Sequence, residues 1–325
     1  MTPSLRPSLV NGRFGDPAVF IEVAHERAAI LLDCGDLSAL SARDLLRVRA
    51  VCVSHMHIDH LIGFDALLRV NVGRDAVIDL IGPVGVTGCI GAKLAGYSWD
   101  LVDRYATELV FVVHEVIAAG RVAATRFRFS RGFAPEPERE RSGEAILATT
   151  HWRLRTAVLA HHGPCLGFLV EEPIHINIWR NRVEAAGLAI GPWLKPLKEA
   201  VRAGSPDDTL IALPDGGTAP LAELRALVSV ERGQKIGYAT DVADTPANRA
   251  AIVGLCRDAD LLFIEASFSA ADAERAAARA HLTTTAAGEI ARACGARRVE
   301  PFHFSPRYDG GEQMLLDEVS AAFAN

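Results

Sequence analysis

The run Ser54-His55-Met56-His57-Ile58-Asp59-His60 places three imidazoles and a carboxylate in the pattern H-x-H-x-D-H. It follows an apolar stretch at residues 50–54 and precedes a helix-like one at residues 61–70. Residues two apart on an extended turn point the same way, so His55 and His57 can bind one ion. Asp59 and His60 arrive as the chain bends toward the helix and can face a second ion. Neutral imidazoles with a carboxylate suit zinc, and also suit manganese or iron.

Two ions need more donors, and the rest of the chain offers them where strands should end. His161 closes a strand read over residues 154–160, Asp241 one over 235–240, and His303 one over 298–302. With the first cluster they make five histidines and two carboxylates, one of which can bridge. His25, His114, His151 and His175 match no motif and read as structural.

The elements that must position these groups change character along the chain. The first half reads mainly as strands, at residues 18–24, 28–33, 50–54, 76–81, 109–113, 121–129 and 154–160. Residues 132–143, rich in Pro, Glu and Arg, read as an exposed loop. The second half alternates strands at 235–240, 260–266 and 298–304 with helices at 246–257, 269–280, 283–294 and 311–322. Residues 171–227 are the least regular stretch, with two helices expected at 178–186 and 193–203.

Composition bounds the reading. Half of the 325 residues are apolar and the net charge is −6, so the chain as a whole is no electrostatic match for nucleic acid. No apolar run is long enough to span a membrane, and residues 1–11 contain no secretory stretch. Six scattered cysteines form no Cys-x-x-Cys pair, which predicts reduced thiols in a cytoplasmic protein.

The motifs together resemble the ribonuclease Z branch of the metallo-β-lactamase superfamily, whose signature is H-x-H-x-D-H. Leu159-Ala160-His161 followed by Gly167-Phe168 resembles the third-motif histidine, with His162 as the competing candidate. Tyr238-Ala239-Thr240-Asp241 resembles the bridging-aspartate motif. Ile264-Glu265-Ala266-Ser267 and His281-Leu282-Thr283 resemble the His-Glu-Ala-Thr and His-Ser-Thr loops. Phe302-His303-Phe304-Ser305-Pro306-Arg307-Tyr308 resembles the final ligand motif. The chain departs from the branch at Ile58, Ile264 and Leu282, where glycine, histidine and serine are usual, and it lacks the Gly-Thr-Gly opening.

The resemblance implies an α/β fold, the metallo-β-lactamase αββα sandwich, as a single domain over 1–325 with an arm or lid inserted at 171–227. It implies a binuclear metal-dependent hydrolase, a phosphodiesterase using a metal-bridging hydroxide. Two divalent cations, zinc first, would be held by His55, His57 and His161 on one side and Asp59, His60 and His303 on the other, with Asp241 bridging. Asp59 would take a proton from the attacking water, and His281, oriented by Glu265, would protonate the leaving oxygen. Competing readings are hydrolysis of a small ester, sulfate ester or lactone on the same fold, and a non-catalytic, metal-stabilised RNA-binding module. A tRNA substrate is also implied, through an arm marked by a Gly-Pro motif that Gly187-Leu188-Ala189-Ile190-Gly191-Pro192 resembles. The charge around that segment is mild, so the expectation is a lid or homodimer contact and weak pre-tRNA binding.

Overall fold

The computed structural model describes residues 4–24 and 26–324; His25 lies outside them. Strand alternation decides the layers. Val51 and Val53 enter one apolar cluster while Ala50 and Cys52 enter another, and Ala29 and Leu31 part from Ile30 and Leu32 in the same way. Successive side chains of a strand face opposite sides, so strands apolar on both faces must lie between two layers.

The first sheet runs in spatial order Leu5–Leu9, Val19–Val23, Ala28–Leu32, Val48–Cys52, Ala76–Pro83, Leu109–Ala118, Arg121–Arg128 and Pro135–Pro137. The strands from Ala28–Leu32 to Leu109–Ala118 are parallel. The second sheet runs Leu147–Ala148, Arg153–Ala160, Pro164–Glu171, Lys235–Ala239, Leu261–Glu265, Val299–Phe302, and the last three are parallel. A shared core joins the sheets face to face, with Ile21, Ile30 and Cys52 from the first and Phe168, Tyr238 and Phe302 from the second.

Helices cover the outer faces. Phe64 and Leu67 of Phe64–Asn71, with Ile90 and Leu94 of Val86–Ala95, pack on the first sheet. Ile252, Ile290 and Leu315 of Pro246–Leu255, Thr284–Ala293 and Glu312–Ala324 pack on the second. This is the αββα sandwich expected from the sequence. The second-half helices start on capping side chains: Thr245 accepts from Asn248 N with Pro246 at the first position, and Thr283 accepts from Ala286 N.

The stretch at 132–143 is not simply a loop. Pro135–Pro137 and Arg141–Ser142 pair with Arg121–Arg128. The acidic residues of this stretch pair with arginines of the facing strand: Glu136 with Arg128, Glu138 with Arg126 and Glu140 with Arg121. The single helix expected at 269–280 is a 3₁₀ turn, Ala270–Asp272, followed by Ala273–Ala278.

By chain contacts there are two compact units, Glu172–Gly233 and the remainder. The smaller has its own core of Val183, Trp193, Leu197, Leu221 and Leu224, and its helices are Arg180–Ala185, Leu194–Arg202 and Leu221–Leu224. It enters the chain between two neighbouring strands, whose ends pair as Glu171 with Lys235.

Candidate metal centre

Parallel strands deliver their C-terminal ends to one edge of a sheet, where side chains from distant sequence positions can converge. Asp33 follows Ala28–Leu32, and Ser54 and His55 follow Val48–Cys52. In the second sheet Asp241 follows Lys235–Ala239, Glu265 ends its strand, and His303 follows Val299–Phe302. His161 ends an antiparallel strand, Arg153–Ala160, and joins them. Asp33, Asp241 and His303 have φ of 58°, 47° and 58°. This left-handed backbone is costly for residues other than glycine, and here it turns each strand sharply at the site.

The H-x-H-x-D-H loop nests on two glycines. A Cβ on Gly35 would lie 2.5 Å from the Asp59 carbonyl oxygen, and one on Gly63 would lie 2.1 Å from that of Gly35. Neither position admits a side chain without displacing the loop.

Donor atoms of His55, His57, His161 and Asp241 lie within 4.8 Å of one another, as do those of Asp59, His60 and His303. Asp241 stands between the groups: its Oδ2 is 3.3 Å from His55 Nε2 and 3.4 Å from His60 Nε2, and its Oδ1 is 2.9 Å from His303 Nδ1. The ring nitrogens His55 Nε2 and His60 Nε2 are buried and lack a hydrogen-bond partner. Buried polar atoms are rarely left so. Donors crowded at about 3.3 Å without hydrogen-bonding geometry match the edge of a tetrahedron with ~2.0 Å metal–nitrogen bonds. The residues therefore fit divalent cations.

Supporting bonds set the tautomers of two rings. His161 Nδ1 donates to the Ala280 carbonyl at 2.8 Å, leaving Nε2 free for a ligand. His60 Nδ1 donates to Asp33 Oδ2 at 2.8 Å. Asp33 is fully buried and also accepts from Ser54 N, Ser54 Oγ and Tyr238 Oη at 2.6, 2.8 and 2.7 Å. The sequence reading missed this carboxylate. Its only signal was an aspartate at a strand end, because its partners come from positions far apart in the chain.

Electrostatics follow from this crowding. Burial lowers the imidazoles of His57 and His161, which favours the neutral form that binds metal. Burial opposes charge on His60 and His303 too, but carboxylates override it. Asp33 leads in raising His60 well above the usual range, and Asp241 lifts His303 to about 10. Burial would raise Asp59 and Asp241, yet the histidines hold both well below the ordinary carboxylate value.

Beside these donors stands a second device. His281 Nδ1 donates to Glu265 Oε2 at 2.9 Å, and Ser267 Oγ donates to the same oxygen at 2.6 Å. Glu265 Oε1 accepts from Val242 N at 2.7 Å, and the residue is fully buried. Burial opposes charge on His281, but the hydrogen bond and charge of Glu265 outweigh it and raise the imidazole. Glu265 and His281 also fall within donor distance of Asp241 and His303, but the oxygens of Glu265 already accept from Val242 N, Ser267 Oγ and His281 Nδ1. A pocket of about 410 Å³ opens here, lined by His57, Asp59, His161, Asp241, His281 and His303, with Phe14, Phe268 and Phe304 as apolar wall.

The unassigned histidines are placed elsewhere or differently. His114 bonds Asp79 at 2.6 Å, His151 lies 3.3 Å from Glu26, and His175 bonds Glu172 at 2.9 Å. His162 lines the pocket, exposed, with its ring centroid 4.3 Å from that of His161.

Residues 199–304 match the family described as Beta-lactamase superfamily domain. A protein named Ribonuclease Z from Deinococcus radiodurans is 34% identical over 286 residues, covering 86% of this chain and 83% of that one. The chain belongs to the ribonuclease Z branch of the metallo-β-lactamase superfamily. Two solved structures share the fold. Human tRNase Z, short form, has a TM-score of 0.53 at 18% identity, covering 94% of this chain and 92% of its own. The metallo-beta-lactamase fold protein YhfI from Bacillus subtilis has a TM-score of 0.56 at 15% identity, covering 98% and 92%. The chain is thus a hydrolase of the metallo-β-lactamase fold.

Proposed function

We propose that this chain is a binuclear metal-dependent phosphodiesterase that hydrolyses RNA. The observation that carries the reading is the Glu265–His281 pair at 2.9 Å, opening on the same pocket as both donor groups. An alkoxide leaving from phosphorus needs a proton, and a histidine whose charged form is favoured by a buried carboxylate can give one. The identity to a named Ribonuclease Z supports the same substrate class.

His55, His57 and His161 would hold one cation, Asp59, His60 and His303 the other, and Asp241 would bridge. Zinc suits this nitrogen-rich set. When bound, two such cations supply Lewis acidity and acidify water into the neutral range. Asp59, with its side chain 37% exposed toward the pocket, accepts the proton of the attacking water. His281 delivers its proton to the leaving oxygen, while Glu265 and Ser267 fix the ring.

The unit Glu172–Gly233 is inferred to contact substrate or a second copy, without gripping tRNA strongly. Arg180 is paired with Glu184, and Arg225 with Asp207. Lys195, Lys198 and Arg202 share the helix Leu194–Arg202 with Glu199. Three phosphate contacts give a shallow salt dependence, about −0.9 per contact. All six cysteines are unpaired, and among the described residues no helix is long and apolar enough to cross a membrane; the thiols support a reducing cytoplasmic setting.

The test is a panel of chromogenic phosphodiesters, sulfate esters, carboxylic esters and lactones, with trailer-bearing pre-tRNA and short RNA beside it, on protein analysed for metal. Turnover of the phosphodiesters and RNA with close to two metal ions per chain is expected. Turnover confined to carboxylic esters or lactones overturns the proposal. Sub-micromolar pre-tRNA binding with a steep salt slope overturns the view of the inserted unit.

A further inference from the structure

Among the described residues lining the catalytic pocket, Arg279 is the only lysine or arginine. Arg275 and Arg307, by contrast, each approach the carboxylate of Asp272, at 4.0 and 3.9 Å. The guanidinium of Arg279 has no ion pair or hydrogen bond among the described residues. It is exposed on the pocket wall.

Its backbone is held by the site itself. Arg279 caps the helix Ala273–Ala278, and its N–H reaches the carbonyls of Arg275 and Ala276 at 3.2 Å. The next residue, Ala280, has φ of 56° and offers the carbonyl that fixes His161. The residue after that is His281, tied through Nδ1 to Glu265 and through its N–H to Ala276. The bend is held by the helix on one side and by His161 and Glu265 on the other, which leaves the backbone of Arg279 little freedom.

We propose that Arg279 is a specificity-determining residue that docks a second anionic group of the substrate, on the leaving-group side of the scissile bond. The assignment rests on the phosphodiesterase reading for the word "scissile", because His281, two residues away, is there the group facing the leaving oxygen. The planar fork of a guanidinium presents paired donors that match phosphate or carboxylate, so an unpartnered one on a pocket wall is a ready anion receptor. The substrate class that fits is a phosphodiester flanked by another phosphate, as in an RNA strand, in preference to an isolated diester or a neutral ester.

The experiment compares wild type, Arg279→Ala and Arg279→Lys, all metal-loaded, on dinucleoside monophosphates with and without a terminal phosphate at each end. In wild type, the terminal phosphate on the leaving-group side lowers KM about tenfold, the scale of a charge-assisted hydrogen bond. Arg279→Ala brings the KM ratio of the two substrates to near one, and Arg279→Lys restores part of it. Taking the ratio on one protein cancels any general loss of fold. Calorimetric titration with uridine 3′,5′-bisphosphate and uridine 5′-monophosphate gives a readout without turnover: wild type prefers the bisphosphate and Arg279→Ala does not. An Arg279→Ala protein that keeps both preferences overturns the proposal. If no dinucleotide is cleaved by any variant, the phosphodiesterase reading fails, and the titration still decides whether Arg279 receives an anion.

Discussion

The two halves of the candidate metal centre are built on different principles. His55, His57, Asp59 and His60 come from one loop, shaped by a 3₁₀ turn at Ile58–His60 and by the close approach of Gly35 and Gly63. His161, Asp241 and His303 come from three strand ends, brought together by sheet order and register. The first half is a local structure carried by the fold; the second exists only when the second sheet has formed. A loop can lose one donor and keep its shape, whereas a strand-end residue facing both groups links them.

The largest expected effect tests that linkage. Asp241 meets His55 and His60 from the loop and His303 from the sheet. Asp241→Ala should lower metal content below one ion per chain and activity by at least ~10³-fold. His57→Ala, which removes a donor from one group only, should leave close to one ion. Equal metal loss in the two variants, by elemental analysis after reconstitution, would erase the distinction between the halves.

Next is the buried carboxylate that ties the loop to the fold. Asp33→Asn keeps the shape but disturbs the acceptor for His60, Ser54 and Tyr238. Partners of ligating histidines typically contribute 10- to 100-fold in metal affinity, so metal binding should weaken by about that factor. Unchanged affinity in a competition with a chromogenic chelator would show that the loop positions His60 unaided.

His281→Ala sharpens the comparison from the other side, since it removes a group from the loop between the helices Ala273–Ala278 and Thr284–Ala293 that is not a proposed ligand. Metal content should stay as in wild type, and alkyl phosphodiesters should slow by roughly 10²-fold or more while nitrophenyl diesters change little. Equal slowing of both would mean that His281 is not the leaving-group acid.

A smaller effect should appear in pH dependence without metal. His303 is lifted from 6.5 to about 10, chiefly by Asp241 against the opposing effect of burial. A raised value in the folded state gives stability that is complete below the unfolded value and is lost as pH rises through the folded one. The chelated protein should therefore lose thermal stability between about pH 6.5 and 10. His303→Ala should flatten that decline; a chelated variant with the same slope as wild type would place its origin elsewhere.

The same contrast explains what could be read in advance. His55 to His60 are contiguous, so their chemistry is visible in the residues alone. His161, Asp241 and His303 stand out only as polar residues ending apolar runs, and the order of motifs was needed to group them. Asp33 also ends an apolar run and Ser267 sits in a quoted motif, but neither role was legible, because their partners are distant: Asp33 bonds Tyr238, 205 positions away, and Ser267 accompanies Glu265 and His303. The helical half of the fold was legible as apolar strands alternating with helices, apart from 269–280, where a 3₁₀ turn precedes a shorter helix. The strands at Pro135–Pro137 and Arg141–Ser142 were not, because their charges look solvated until the facing arginines are known.

The inserted unit has one more consequence. It leaves from Glu171 and returns by Lys235, two residues opposite each other in an antiparallel ladder. Facing residues in such a ladder are about 5 Å apart, a gap that a tight hairpin of two to five residues can close. In topological terms the body reads as an uninterrupted hairpin with a cassette spliced into its turn. Exchange, shortening or duplication of that cassette leaves the strand pairing on either side the same, so the inserted unit can vary in length and sequence while the strands beside it keep their register.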